Sequence, residues 1–127
     1  MGKKKRAFLL SFENGDEYSR GKNGRFRLFR NGVELTAGVR ASDIYSYMCG
    51  GWYYQDFETR FYHLFKNGID MTKGLNAVYV ELFADGCWDY ADEENNRYYF
   101  DANNNEILSK RAWHFEIKAW HLEKIMG

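Results

Sequence analysis

The sequence predicts an all-β, mainly antiparallel fold: a meander of short hairpins built from an internal repeat, with a C-terminal helix as an open alternative for its last segment. Three observations carry this. The chain has no proline in 127 residues, which suits unbroken ladders because proline removes a hydrogen-bond donor. Aromatic residues make up 19%, and their rings favour half-buried pleated surfaces. The phrase "LFRNGVELTAG" at Leu28–Gly38 returns 36 residues later as "LFKNGIDMTKG" at Leu64–Gly74.

Extended in both directions, the echo aligns Leu28–Tyr54 with Leu64–Tyr90 without a gap, and ten of the 27 positions are identical. Ordinary residue frequencies would give roughly two. Related fragments stand on either side, "FENGDEYSRG" at Phe12–Gly21 and "YFDANNNEILS" at Tyr99–Ser109. One domain with atypical ends follows. Residues 1–6 form a basic tail, 7–24 an N-terminal partial repeat, 25–60 the first repeat, 61–96 the second, and 97–127 a degenerate C-terminal repeat or cap.

The elements can be justified in order. "RFRLF", "RNG" and "VELT" read as two runs joined by an Asn-Gly turn, whose residues tolerate the positive φ angles a tight hairpin needs. "ASDIYSYM" and "WYYQD" flank "CGG", and the second copy offers "NAVYVELF", "ADG" and "CWDY". One conflict stands. Ala41, Ile44 and Tyr47, like Ala77, Val80 and Phe83, recur at helical spacing, whereas the alternation in "AVYVELF" argues for strand. The end, residues 110–126, alternates Trp113, Phe115 and Ile117 with His114, Glu116 and Lys118 like a strand, yet also offers a broad helical apolar arc.

These residues resemble two known kinds of repeat. "GGWYYQD" and "RYYFDANNNEI" are similar to the aromatic hairpins of choline- and glucan-binding repeats of bacterial surface proteins, and "FADGCWDYAD" resembles Trp-Gly repeats. The resemblance implies an architecture of aromatic hairpins; it assigns no binding residue here.

Composition narrows function. Apolar residues at 45% and charged residues at 28% are ordinary for a globular chain. No segment reads as a transmembrane span or signal peptide, and two cysteines make no disulfide framework. A cytoplasmic protein away from membranes is the expectation. Net charge is zero, but residues 1–40 carry ten Lys/Arg against four Asp/Glu, and residues 81–106 carry eight acids against Arg97.

No nucleophile elbow, phosphate loop, dinucleotide fingerprint or zinc-protease helix occurs. His63, His114 and His121 share no metal-ligand spacing with Cys49 or Cys87. "DANNNE" at Asp101–Glu106 begins like a calcium loop, but the sixth and twelfth places hold Glu106 and Ala112 rather than glycine and glutamate, so an Asn-rich turn is expected. The reading is therefore not an enzyme, with no cofactor and no metal.

The differences between copies supply candidate binding residues. Tyr45, Tyr53 and Phe57 of the first copy align with Glu81, Asp89 and Glu93 of the second. Strand alternation puts Trp52 and Tyr54 on one face and Tyr53 on the other, so the aromatic set and the acids Glu81, Asp85, Asp89, Asp92, Glu93 and Glu94 are expected outward. Aromatic anchors among charges are what protein interfaces use. The expected function is non-enzymatic recognition of a macromolecular partner, most readily another protein, in the style of an inhibitor or adaptor such as a phage-type anti-defence protein. A small ligand or glycan held on exposed aromatics is an alternative. RNA or single-stranded DNA held by Arg25, Arg27 and Arg30 between Phe26 and Phe29 is another, against which the acidic block counts. Exposed edge strands predict a homodimer or higher homo-oligomer.

Overall fold

A computed structural model describes residues 9–107, so "KKKR" at Lys3–Arg6 and the segment 110–126 lie outside the described residues. The described chain is all-β, with twelve strands in antiparallel sheets and no helix. They are β1 (Leu10–Ser11), β2 (Glu17–Arg20), β3 (Phe26–Arg30), β4 (Val33–Glu34), β5 (Ala41–Ser46), β6 (Trp52–Asp56), β7 (Tyr62–Lys66), β8 (Ile69–Asp70), β9 (Tyr79–Leu82), β10 (Trp88–Ala91), β11 (Arg97–Phe100) and β12 (Glu106–Ile107). The first sheet runs β1-β2-β3-β5-β6-β7-β8 with β4 paired to β3, and the second runs β12-β11-β10-β9.

The repeated residues repeat their geometry. Asn31 and Gly32 have φ of 52° and 80°, Asn67 and Gly68 51° and 78°, so both two-residue turns are built from left-handed backbone that favours Asn and Gly. Thr36 and Thr72 are buried, and each hydroxyl oxygen accepts a backbone N–H, from Leu28 and Leu64 respectively, at 3.1 Å. The copies therefore share turns and capping hydrogen bonds, not only letters.

The helical spacing of Ala41 and Ile44 has a physical origin in β5. Register shifts between Ala41 and Asp43, so Ser42 is an extra residue in the ladder. A bulge of this kind resets the two-residue alternation. Ala41, Ile44 and Ser46 are consequently all buried, the first two a three-residue step apart that no regular strand would give.

Two buried clusters stand in series. Leu28 packs with Ala41, Ile44, Trp52 and Tyr54; Leu64 packs with Ala77, Val80, Leu82, Trp88 and Tyr90. Each unit's leading strand thus covers the Trp/Tyr face of the following hairpin, and the two copies bury the same positions 36 residues apart. Ring stacking joins neighbouring strands on that face: Trp52 lies 4.2 Å from Phe65 at an interplanar angle of 4°, and Trp88 lies 4.1 Å from Phe100 at 8°.

Hydrogen bonds also place the first hairpin in the series. Phe12 N–H donates to Asp16 O, Tyr47 N–H to Gly51 O, and Phe83 N–H to Cys87 O, at 2.8, 2.8 and 2.9 Å. The turn at Asn14–Asp16 therefore corresponds to those at Cys49–Gly51 and Asp85–Cys87. Its letters "ENG" echo the Asn-Gly turn of the other hairpin, but its bonds belong to this one.

Candidate functional site

The aromatic candidates divide by depth. Tyr45 is 44% exposed, and its ring is held among others: 5.5 Å from Phe12 edge-on, 4.8 Å from Tyr47 edge-on, and 6.0 Å from Tyr53 in a stack. The Glu81 carboxylate lies close enough to Tyr47 to help raise its hydroxyl pKa, although burial contributes most. Tyr53 is half-buried. Its ring meets Tyr62 edge-on at 5.3 Å and packs with Tyr47 and Tyr62 against the core of the second unit. Burial, then the nearby Asp43 carboxylate, pushes the Tyr53 hydroxyl far above its ordinary range. Phe57 lies beyond the end of β6, with the Arg40 guanidinium 5.5 Å from its ring centre. The structure brings Tyr45 and Tyr53 together and leaves Phe57 apart.

The acids do not converge on one edge. Asp85 lies in the turn before β10, where its Oδ1 accepts the Cys87 N–H at 3.0 Å. Asp92, Glu93 and Glu94 lie past the other end of that strand. Asp92 Oδ1 accepts the N–H groups of Glu94 and Asn96, each at 3.0 Å, and Oδ2 accepts the Tyr98 hydroxyl at 3.1 Å. Glu81 accepts the Tyr79 hydroxyl at 2.9 Å. Asp89 is the main departure from the expected outward row, because its side chain is fully buried. Arg97 stands 4.0 Å from its Oδ1.

The cause lies in the stacking of the units. In the correspondence fixed by the turn bonds, Tyr53 matches Tyr18 and Asp89, and the ladders that follow match Tyr62 with Phe26 and Arg97. Phe12, Tyr18 and Phe26 pack against the core of the first copy; Tyr47, Tyr53 and Tyr62 pack against that of the second. Asp89 therefore stands in the register of Tyr18 and Tyr53, with Arg97 beside it where the preceding unit sets Tyr62 against Tyr53.

The arginine candidates are largely engaged. Arg27 donates from Nη2 to Glu34 Oε1 at 2.9 Å and lies over Phe29. Arg30 donates from Nε and Nη2 to both oxygens of Asp16, at 3.0 and 2.7 Å, and from Nη2 to Gly50 O at 2.9 Å. Ser46 Oγ donates to the same carboxylate at 2.6 Å, and Asn14 Nδ2 donates to Ser46 Oγ and Tyr47 O. Burial alone would raise the Asp16 pKa, but these donors hold it below the ordinary carboxylate value. Arg25 forms no ion pair among the described residues.

This network joins hairpins 30 residues apart, and sequence reasoning did not find it. The turn residues beside it also line two grooves. One, of about 400 Å³, is bounded by Asn14–Asp16, Arg30, Asn31 and Met48–Gly50. The other, of about 530 Å³, shares Arg30, Cys49 and Gly50 with the first and extends to the turns one unit later, with Trp52, Lys66, Leu82 and Asp85 among its walls. The only available signal was the conservative Arg30/Lys66 pair in the repeat.

Remaining chemistry is local. His63 Nδ1 and Asp70 Oδ2 are 2.8 Å apart, at the positions where the first copy pairs Arg27 with Glu34. Cys87 is buried, and burial followed by Asp85 pushes its thiol up to about 11. The Asp101 segment is an Asn-rich turn whose Oδ1 accepts the N–H groups of Asn103 and Asn105. Among the described residues, no cluster of His, Cys, Asp and Glu is arranged to hold a metal ion, and no helix is long and apolar enough to cross a membrane. Comparison of the chain with protein-family models, curated proteins and solved structures finds no match.

Proposed function

We propose that this domain acts by recognising another protein, with Tyr45 as the anchor residue. The observation that carries the reading is a large ring left 44% exposed on a sheet while three neighbouring rings restrict its motion. A tyrosine held in this way loses little conformational freedom on binding and offers both an apolar face and a hydroxyl. Glu81 edges the same surface through its proximity to Tyr47, giving the anchor a charged border of the kind interfaces use. The function is binding without catalysis, of the inhibitor or adaptor type.

Two observations favour this reading over the alternatives. Trp52 and Trp88 are buried, each with one indole face stacked on Phe65 or Phe100, which counts against them as stacking platforms for a glycan. Arg27 and Arg30 already hold Glu34 and Asp16, which leaves little of the arginine strand for phosphates. The test is quantitative capture from nuclease-treated lysate by wild type, Tyr45→Ser and Glu93→Ser. A stoichiometric protein retained by wild type and Glu93→Ser but lost by Tyr45→Ser is the expected result. Retention by Tyr45→Ser, with its melting temperature unchanged, would refute the anchor.

A further inference from the structure

We infer that the groove beside Lys66 is a second binding site, which takes a carboxylate presented by an acidic peptide. The first unit supplies the template. There the cation at the groove is Arg30, and the preceding turn delivers the Asp16 carboxylate onto it, with Ser46 donating to the same oxygen. Lys66 takes the place of Arg30 one unit later, and the backbone contact is kept: Arg30 bonds Gly50 O at 2.9 Å and Lys66 bonds Gly86 O at 2.8 Å.

The internal carboxylate does not recur. Gly51 corresponds to Asp16 through the turn hydrogen bonds, and Leu82 corresponds to Ser46 through the 36-residue repeat. Both the acid and the hydroxyl that holds it are therefore gone. Lys66 Nζ donates to three neutral oxygens, Gly86 O, Ala102 O and Asn104 Oδ1. The Asp101 carboxylate, held low first by the Asn105 N–H and also by the Lys66 charge, lies nearby, but no carboxylate reaches ion-pair distance of Lys66 among the described residues. A cation partly withdrawn from water favours an anionic partner over neutral acceptors.

The space beside it is open. The groove that Lys66 lines measures about 530 Å³ and has Arg30 on its far wall, a second cation already held by Asp16. Leu82 fills the position of the missing acid, since a Cβ on Gly51 would fall 2.2 Å from Leu82 Cδ2. An incoming carboxylate therefore approaches from the open side, past Asn67 and Gly68. Asp85 lines the same groove with its Oδ1 already bonded to the Cys87 N–H. Its charge favours a ligand carrying N–H donors beside its acid, and a peptide main chain supplies them where a bare anion does not.

The site is independent of Tyr45, and its test keeps the two apart. A hexapeptide of glutamate is titrated into the full chain by calorimetry, with a hexapeptide of glutamine and an oligogalacturonate as comparisons. Saturable binding of the glutamate peptide alone, weakening as salt rises, is expected. Lys66→Gln should weaken it by about tenfold, Lys66→Arg should retain it, and Tyr45→Ser should leave it unchanged. Gly51→Asp combined with Leu82→Ser rebuilds the internal carboxylate and should abolish binding. Because Leu82 belongs to the second core cluster and a Gly51 Cβ stands 3.0 Å from Phe65 O, this variant melts lower and is titrated at a temperature where circular dichroism shows it folded. If neither it nor Lys66→Gln folds, the preference of the wild-type chain for the glutamate over the glutamine peptide and its loss with salt decide the matter. Equal binding of the glutamine peptide, equal binding of the sugar acid, or undiminished binding by the double variant would overturn the inference, as would loss of binding in Tyr45→Ser.

Discussion

The two copies should answer to the same deletion in the same way. Leu28 and Leu64 are both fully buried, each at the centre of its own cluster. Leucine to alanine removes three carbons, which is about 2.4 kcal/mol at about 0.8 kcal/mol per buried methylene. A residual cavity of about 60 Å³ adds about 1.4 kcal/mol at about 24 cal/mol per Å³. Each of Leu28→Ala and Leu64→Ala should therefore cost about 4 kcal/mol, out of the roughly 5–15 kcal/mol typical of a domain. The two clusters share no buried residue, so the costs should nearly add, leaving the double variant largely unfolded. Urea denaturation followed by far-ultraviolet circular dichroism measures this. A cost below about 1 kcal/mol at either site, or a difference between the sites above about 2 kcal/mol, would refute the repeated core.

Other predictions follow from single contacts. The folded pKa of Asp16 is depressed below the ordinary 3.8, so its contribution is present above that value and lost as pH falls through the folded value; Asp16→Asn should lower stability at neutral pH and flatten the acid limb of a stability titration. Gly51→Ala places a Cβ 2.2 Å from Leu82 Cδ2 and 3.0 Å from Phe65 O, and should cost about 1–3 kcal/mol. Leu82→Ala should relieve part of that cost in a double-mutant cycle, and strict additivity would count against the contact. Glu17 and Ser19 stand where the later hairpins bury Trp52 and Tyr54, so Glu17→Trp with Ser19→Tyr should produce concentration-dependent association by light scattering; a monomer at every concentration would contradict that reading of the face.

Much of this architecture was legible, because each shared letter has a local physical reason. Asn31–Gly32 and Asn67–Gly68 are shared because the turns use left-handed backbone, and Thr36 and Thr72 because their hydroxyls cap Leu28 and Leu64. Trp52, Tyr54, Trp88 and Tyr90 lie in the core, as alternation implies. What could not be read depends on distance or on an inserted residue. The bulge at Ser42 disguised a strand as a helix-like pattern. A one-residue difference between units concealed the kinship of the Asn14–Asp16 turn with Cys49–Gly51. The Asp16–Ser46 contact spans 30 residues, and no local pattern announces it.

The substitutions between copies gain a different meaning once the stacking is known. Tyr53 against Asp89 looks from sequence like a change of surface, an aromatic platform traded for an acidic one. In the structure both are inward packing residues: Tyr53 meets Tyr62, and Asp89 stands near Arg97. That exchange replaces a ring-on-ring contact with a buried acid beside a cation. Tyr45 and Lys66 differ in kind. Tyr45 shares its register with Leu10 and Glu81, and nothing in the core demands a ring there. Lys66 keeps the position of Arg30 after its acid has become Gly51. In a repeat array, residues whose departure has a packing cause belong to the scaffold. Tyr45 has no such cause, and at Lys66 the packing of Leu82 over Gly51 accounts for the lost acid but not for the cation that stays; these two positions are where selection for binding would leave its mark.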